Sequence, residues 1–306
     1  TNVREWLESI ATQKCTAIPP GRCAYTHFLD QDGFLIDDMI FAVVSENEIL
    51  GVPNASMIPV MWKWFNSLLP KDGSVILEDL SPETSIIALQ GPKAKSICEA
   101  VLGAENHVGR FKWSPIKENN LGVNGWIQGT GYTGESGYEI FVPNTDVQLL
   151  WRALIEAGST PVGLGARDTL CLEKGYLLSG VDFASRSLDE NTALHRDSWE
   201  TNVPFGLDLD HEFIGRSRVI SHDDDDEKWW GVKQLERGPL PRGGKNVEDL
   251  DGNLIGILTS GAPAPSLDRT GIGMGYIAKV EPGSEVMIVA SPRKKIRAVI
   301  VRPPFV

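Results

Sequence analysis

A chain of 306 residues, 42% of them hydrophobic, is long enough to fold as two or three domains around substantial cores, so disulfide staples are not needed to explain its folding. Its 29 Lys and Arg against 41 Asp and Glu leave a net charge of −12, which disfavours long-range attraction to nucleic acid or an anionic membrane and obliges an anionic ligand to rely on local cations. No run of about 18 apolar residues occurs, and Thr1-Asn2-Val3-Arg4-Glu5-Trp6 does not read as a secretory leader, so a soluble protein is expected, cytoplasmic or, in a eukaryote, of the mitochondrial matrix.

Asn2 caps a first helix in which Val3, Trp6, Leu7 and Ile10 recur at i, i+3, i+4 and i+7. From Phe34 to Val44 a buried strand is interrupted by the adjacent carboxylates Asp37 and Asp38, and Glu48–Val52 offers a second strand. Ser56 opens a helix with Met57, Val60, Met61 and Trp64 on one face, and Pro59 is tolerated in its first turn. Strands near Val75–Glu78 and Ser85–Leu89 follow, then a helix started by Gly91-Pro92 that ends near Gly103. Next come strands around Gly125–Gln128 and Tyr138–Val142, a helix with Val147, Leu150, Trp151 and Leu154 in register that Gly158 stops, and a helix from about Ala166 to Lys174. Strands and helices in such short units favour an α+β fold over a doubly wound parallel sheet. After about Pro204 the pattern changes to short strands between Gly/Pro turns, at Trp230–Gln234, Gly252–Thr259, Ile272–Ile277, Glu285–Ala290 and Ile296–Val301, which predicts a separate small β-barrel or sandwich.

The four cysteines, Cys15, Cys23, Cys98 and Cys171, form no CxxC pair and lie near no histidine at zinc-ligand spacing, so they read as reduced structural thiols. His27, His107, His195, His211 and His222 show no metal-ligand spacing and read as incidental; no metal is expected. The run from Asp223 to Glu227 reads as a solvated loop, without the alternating ligands and turn glycine of a calcium loop.

Gly129-Thr130-Gly131-Tyr132-Thr133-Gly134 spells GxGxxG, yet a dinucleotide site needs a helix next, and Tyr138–Val142 reads as a strand. Asp37 and Asp38 point to opposite faces of their strand, so at least one leaves water; such a carboxylate is held structurally or for chemistry, and parity does not say which of the two faces a cleft. Glu135, in a Gly-rich turn, reads in isolation as an exposed turn acid, and Arg167 beside Asp168 as half of a local ion pair.

The string Gly131-Tyr132-Thr133-Gly134-Glu135-Ser136-Gly137-Tyr138-Glu139 resembles the GYTGE-x-G-aromatic-E segment of the glycine cleavage T-proteins (aminomethyltransferases). Further segments resemble that family in the same order along almost the whole chain: Gly33-Phe34-Leu35-Ile36-Asp37-Asp38-Met39-Ile40, Pro53-Asn54-Ala55, Leu89-Gln90-Gly91-Pro92, Gly163-Leu164-Gly165-Ala166-Arg167-Asp168-Thr169-Leu170-Cys171-Leu172-Glu173, Gly175-Tyr176-Leu177-Leu178-Ser179-Gly180, Thr259-Ser260-Gly261 and Pro304-Phe305-Val306.

The resemblance implies a multi-domain α+β fold with a folate cleft between domains. Residues 1–220 would form a folate-binding and catalytic region of two intertwined subdomains, truncated at its N-terminus, and 221–306 a C-terminal β-barrel. It implies transfer of the aminomethyl group on the dihydrolipoyl arm of an H-protein to tetrahydrofolate: N5 attacks the methylene carbon, ammonia leaves, and closure through N10 gives 5,10-methylenetetrahydrofolate. The family's catalytic Asp falls in the pair, at Asp38 with Asp37 as the fallback. A carboxylate accepts two adjacent N–H donors in a flat arrangement, which suits Glu135 to the pterin edge. Asn54 would add a donor or acceptor there, Arg167 would offer a cation in the cleft, and Tyr25 would stack on or border the ring. The alternative within the same fold is a tetrahydrofolate-dependent demethylase of a methylated small molecule; a non-catalytic folate-binding protein is a third reading. The stretch Asp189–Glu200 is longer than the matching family loop.

Overall fold

The structure is a computed structural model that describes residues 2–223 and 225–306. The chain gathers into two compact units, each discontinuous in sequence: Thr1–Thr26 with Asp38–Gly163 and Asp210–Glu212, and His27–Asp37 with Leu164–Leu209 and Phe213–Val306.

In the first unit, α1 (Val3–Ile10) starts at a capping box: the Asn2 side chain accepts from the Arg4 and Glu5 amides while Glu5 accepts from the Asn2 amide. Trp6, Leu7 and Ile10 are buried, as the spacing requires. Next along the chain comes a three-stranded sheet in the order β1-β2-β3, from β1 (Arg22–Leu29), β2 (Leu35–Ser45) and β3 (Glu48–Pro53), of which β1 up to Thr26, β2 from Asp38 and all of β3 belong to this unit. Strand β1 was not foreseen, because Thr26 and His27 break its apolar pattern, yet both are buried. In α2 (Ile58–Ser67) the buried face runs through Met57, Met61 and Phe65; Trp64, expected on that face, is only half-buried.

The strand expected at Val75–Glu78 does not form. Val75 is buried, but Ile76 is 89% exposed and the segment has no neighbouring strand among the described residues. β4 (Thr84–Gln90), α3 (Ala94–Leu102), β5 (Trp113–Pro115), β6 (Trp126–Gln128), β7 (Gly137–Pro143) and α4 (Val147–Glu156) build a second layer pair. Its antiparallel sheet runs β4-β7-β6-β5, and a core including Leu102, Ile127, Ile140 and Leu150, none with exposed surface, lies between sheet and helices. Each such side chain contributes about 1.5–3 kcal/mol of transfer free energy. The GxGxxG string connects β6 to β7 and leads into a strand, as expected.

The second unit contains α5 (Leu164–Lys174), the short α6 (Arg216–Val219) and six strands: β8 (Lys228–Gln234), β9 (Asn246–Glu248), β10 (Leu254–Ala264), β11 (Thr270–Ile277), β12 (Glu285–Ser291) and β13 (Lys294–Val301). They close into an antiparallel barrel in the order β10-β11-β8-β13-β12-β9, around Val232, Val247, Leu258, Val286, Ile288 and Ile300. Three-residue β9, too short to show a period, closes the barrel by pairing with both β10 and β12 and so removes two open edges. Buried Glu173 ties α5 to this barrel: it accepts from the Ser266 amide (3.0 Å) and hydroxyl (2.8 Å). Asp182 makes a second tie, accepting from the Thr259 hydroxyl at 2.6 Å, and burial pushes its carboxyl up to about 6. No helix among the described residues is long and apolar enough to cross a membrane.

The four cysteines are free and buried, and burial pushes the Cys15, Cys23 and Cys98 thiols up to about 12, which leaves them inert. Two histidines are not incidental. His27 bonds Ser198 at 2.9 Å inside the second unit. His222 sits between two carboxylates, Nε2 at 2.6 Å from Asp197 and Nδ1 at 2.9 Å from Asp226, and its ring stacks on Trp199. Nor is the acidic run simply solvated: Asp226 holds His222 and Glu227 holds Arg196 at 2.7 Å, while Asp224 lies outside the described residues. Asp197, Glu200 and His222 have the spacing of a metal cluster, but Arg218 already stands 2.9 Å from Asp197 and Arg196 2.8 Å from Glu200, so the group is neutralised from within.

Carboxylates only accept, so both ring nitrogens of His222 must donate and the ring is an imidazolium. Burial alone would lower its pKa; the hydrogen bonds to Asp197 and Asp226, with the charges of Asp197 and Glu200, raise it overall. The stabilisation is therefore fully present below the ordinary histidine value of about 6.5 and is lost as pH rises through the raised folded value. We expect His222→Gln to lower the thermal midpoint by a few degrees at pH 6, and the gap to wild type to narrow as pH rises through the raised folded value. A gap of constant size across that range would show that the proton contributes nothing.

Candidate active site

The register of the β2–β3 hairpin builds the first part of the site. Met39 pairs with Pro53, so the residue after Pro53 lies opposite Asp38. That residue is Asn54, and its side-chain amide donates to Asp38 Oδ1 at 2.7 Å and, at 3.4 Å, to the Asp38 carbonyl. Strand β1, on the other side of β2, contributes Tyr25, whose hydroxyl donates to Asp38 Oδ2 at 2.7 Å. One donor from β1 and one from the residue just past β3 thus hold the two carboxylate oxygens. Asp37, the next residue back, is also buried and faces the other side of β2.

Asp38 is buried, and among the described residues no Lys or Arg pairs with it. Burial pushes its carboxyl above the ordinary carboxylate value, and the Tyr25 and Asn54 hydrogen bonds offset only part of that rise. The result is a charge stabilised by neutral dipoles alone, able to exchange a proton and to attract a developing cation in a low-dielectric setting. The Tyr25 hydroxyl and the Asn54 amide, expected at the pterin, thus both donate to Asp38.

Glu135 lies in the same unit, exposed, in the 129–136 connection before β7. Its backbone amide donates to the Thr133 hydroxyl at 3.3 Å, and among the described residues its carboxylate has no hydrogen-bond or ion-pair partner. A nearby acid that sequence reasoning did not single out is Glu139 on β7, which accepts from the Thr130 hydroxyl at 2.5 Å and whose carboxyl is raised by burial. Arg167 is placed in the second unit, on α5, where its guanidinium grips Asp168 at 2.7 Å with both side chains exposed. The structure therefore brings together Tyr25, Asp38 and Asn54, and leaves Glu135 and Arg167 at positions open to solvent. The signal for the trio was present in the sequence only as the parity of two strands whose register had to be known.

A family model described as the GCVT N-terminal domain matches residues 1–194, and one described as the glycine cleavage T-protein C-terminal barrel domain matches residues 230–306. The chain is 35% identical to an aminomethyltransferase of Halothermothrix orenii, over 99% of this chain and 83% of the relative, and 33% identical to one of Bacteroides thetaiotaomicron, over 98% and 82%. It is also similar to the crystal structure of the glycine cleavage system aminomethyltransferase T from Bartonella henselae, with a TM-score of 0.81 and 25% identity over 99% of this chain and 81% of that one. An α+β first region, a closed C-terminal barrel and near full-length similarity on both counts place the chain in the glycine cleavage T-protein family of aminomethyltransferases, a family of transferase enzymes.

Proposed function

We propose that the chain moves the aminomethyl carbon from the lipoyl arm of an H-protein to tetrahydrofolate, releasing ammonia and leaving dihydrolipoyl protein and 5,10-methylenetetrahydrofolate. The observation that carries this reading is the buried Asp38 carboxylate, held at both oxygens by Tyr25 and Asn54 and free of any cationic partner among the described residues. The carbon exchanges its bonds to sulfur and to the amine nitrogen for bonds to N5 and N10. The two folate N–H protons end on ammonia and on the lipoyl sulfur. Two needs follow: a negative charge beside a methylene that turns cationic when ammonia departs, and a base that takes a proton from a folate nitrogen.

Asp38 meets both. Neutral donors leave its charge undiminished, whereas an arginine partner would cancel the field that the cationic carbon must feel. Its raised carboxyl can hold a proton between one nitrogen and the next. Glu135 supplies orientation: its unpartnered carboxylate is matched to the adjacent N–H donors of a pterin edge, and flat two-point contact fixes the ring's angle as well as its place. Arg167 would meet an anionic part of a reactant after leaving Asp168, an exposed pairing that is cheap to break.

The test supplies aminomethyl-loaded H-protein and tetrahydrofolate and follows ammonia and methylenetetrahydrofolate. Asp38→Asn, which keeps the size and loses the charge, is expected to slow turnover by about 10²–10⁴-fold with folate binding retained. Glu135→Gln is expected to raise the KM for tetrahydrofolate by roughly tenfold at near-normal kcat, the loss of one charge-assisted hydrogen bond. Turnover of Asp38→Asn at the wild-type rate would remove the carboxylate from the mechanism. Folate binding without ammonia release would replace this donor with a methylated small molecule.

A further inference from the structure

Strand β4 ends at Gln90, whose backbone pairs with Gly137 at the start of β7, so its side chain stands at the root of the connection that carries Glu135. The side-chain amide uses both ends there. Nε2 donates to the Thr130 carbonyl and to the Tyr138 carbonyl, each at 3.0 Å, and so bridges the two ends of the loop. Oε1 accepts from the Thr133 hydroxyl at 3.1 Å, and that hydroxyl oxygen accepts in turn from the Glu135 backbone amide at 3.3 Å. The main chain beside it adds a further tie, Gly91 N to Ser136 O at 2.8 Å.

The same amide bears on two of the loop's glycines, Gly131 and Gly137. A Cβ on Gly131 would lie 2.2 Å from Gln90 Oε1 and 2.4 Å from Nε2, and one on Gly137 would lie 2.6 Å from Gln90 Cδ and 2.5 Å from the Leu89 carbonyl oxygen. Neither glycine has left-handed backbone, so lack of room rather than conformation excludes a side chain. At Gly131 the three nearest atoms all belong to the Gln90 amide, so an added methyl evicts that amide and its three hydrogen bonds. At Gly137 the fixed backbone of Leu89 also blocks.

We infer that Gln90 is a positioning residue: its amide is the template on which the 130–138 loop folds, and through Thr133 it sets where Glu135 presents its carboxylate. The inference rests on the reading of Glu135 as the pterin-edge ligand. The hydrogen bonds of the Gln90 side chain all go to the loop and none to Asp38, so its role falls on folate capture and not on the transfer step.

The experiment measures kcat, KM for tetrahydrofolate and amide hydrogen exchange over residues 130–136 in Gln90→Ala, Gly131→Ala, their double variant, Gly137→Ala and Glu135→Gln. Gln90→Ala and Gly131→Ala should each speed exchange in the loop and raise KM about tenfold with kcat near wild type. Their double variant should be no worse than either, because both remove one amide. Gly137→Ala should add to Gln90→Ala, since Leu89 still blocks it. Losses that multiply in the Gln90→Ala/Gly131→Ala pair, or loop exchange unchanged in Gln90→Ala, overturn the role of Gln90. A wild-type KM in Glu135→Gln, with its loop exchange unaltered, overturns instead the reading of Glu135 on which the inference stands.

Discussion

A carboxylate taken out of water, with a hydroxyl on one oxygen and an amide on the other, is the constraint around which the first unit is arranged. Desolvation favours the neutral acid, while two neutral donors favour the anion, and at Asp38 the opposed effects leave a group raised from its ordinary value yet still hydrogen-bonded as an anion. That balance needs three strands in register. Tyr25 must come from β1, Asn54 must follow the last residue of β3, and Asp38 must stand on the strand between them. A slip of one residue in β2 would turn Asp38 to the opposite face and bring Asp37 to the donors.

The same economy of means recurs elsewhere. In the β4–β7 layer one glutamine amide organises a glycine-rich loop, and in the second unit buried Glu173 and Asp182 fasten α5 and the segment after it to the barrel. Each is a polar side chain placed where main-chain groups would otherwise be unpaired, and each is satisfied. Buried polar groups that are fully paired specify one arrangement of their surroundings, because an alternative packing leaves them without partners. The imidazolium of His222 belongs to the same class, with its charge balanced by Asp197 and Asp226.

Long periodic elements were legible from the residues alone. The first helix, the helices around residues 58–67, 94–102 and 147–156, and five of the six barrel strands follow from spacing, because a buried face repeats often enough to be read. What escaped were elements without enough repeats, β5 and β9 at three residues each and α6 at four, and β1, where buried Thr26 and His27 disguise a strand. Val75–Glu78 misled in the opposite sense: its apolar residues suggest a strand, but only Val75 finds a core. Of the candidate site, Asp38 and Glu135 could be singled out through family resemblance, whereas the partnership of Tyr25, Asp38 and Asn54 depends on register. His222 depends on Asp197, 25 positions away, for its charge.

The most direct measurement is the pH dependence of a single turnover, from aminomethyl-loaded H-protein and saturating tetrahydrofolate, in wild type and in Tyr25→Phe. The Tyr25 hydrogen bond lowers the Asp38 carboxyl, so its removal should carry the acid limb of the rate to higher pH while leaving the plateau above the limb largely intact. An acid limb at the same pH in both proteins would mean that the rate does not report Asp38, and the account of a tuned carboxylate at the centre of the reaction would be wrong.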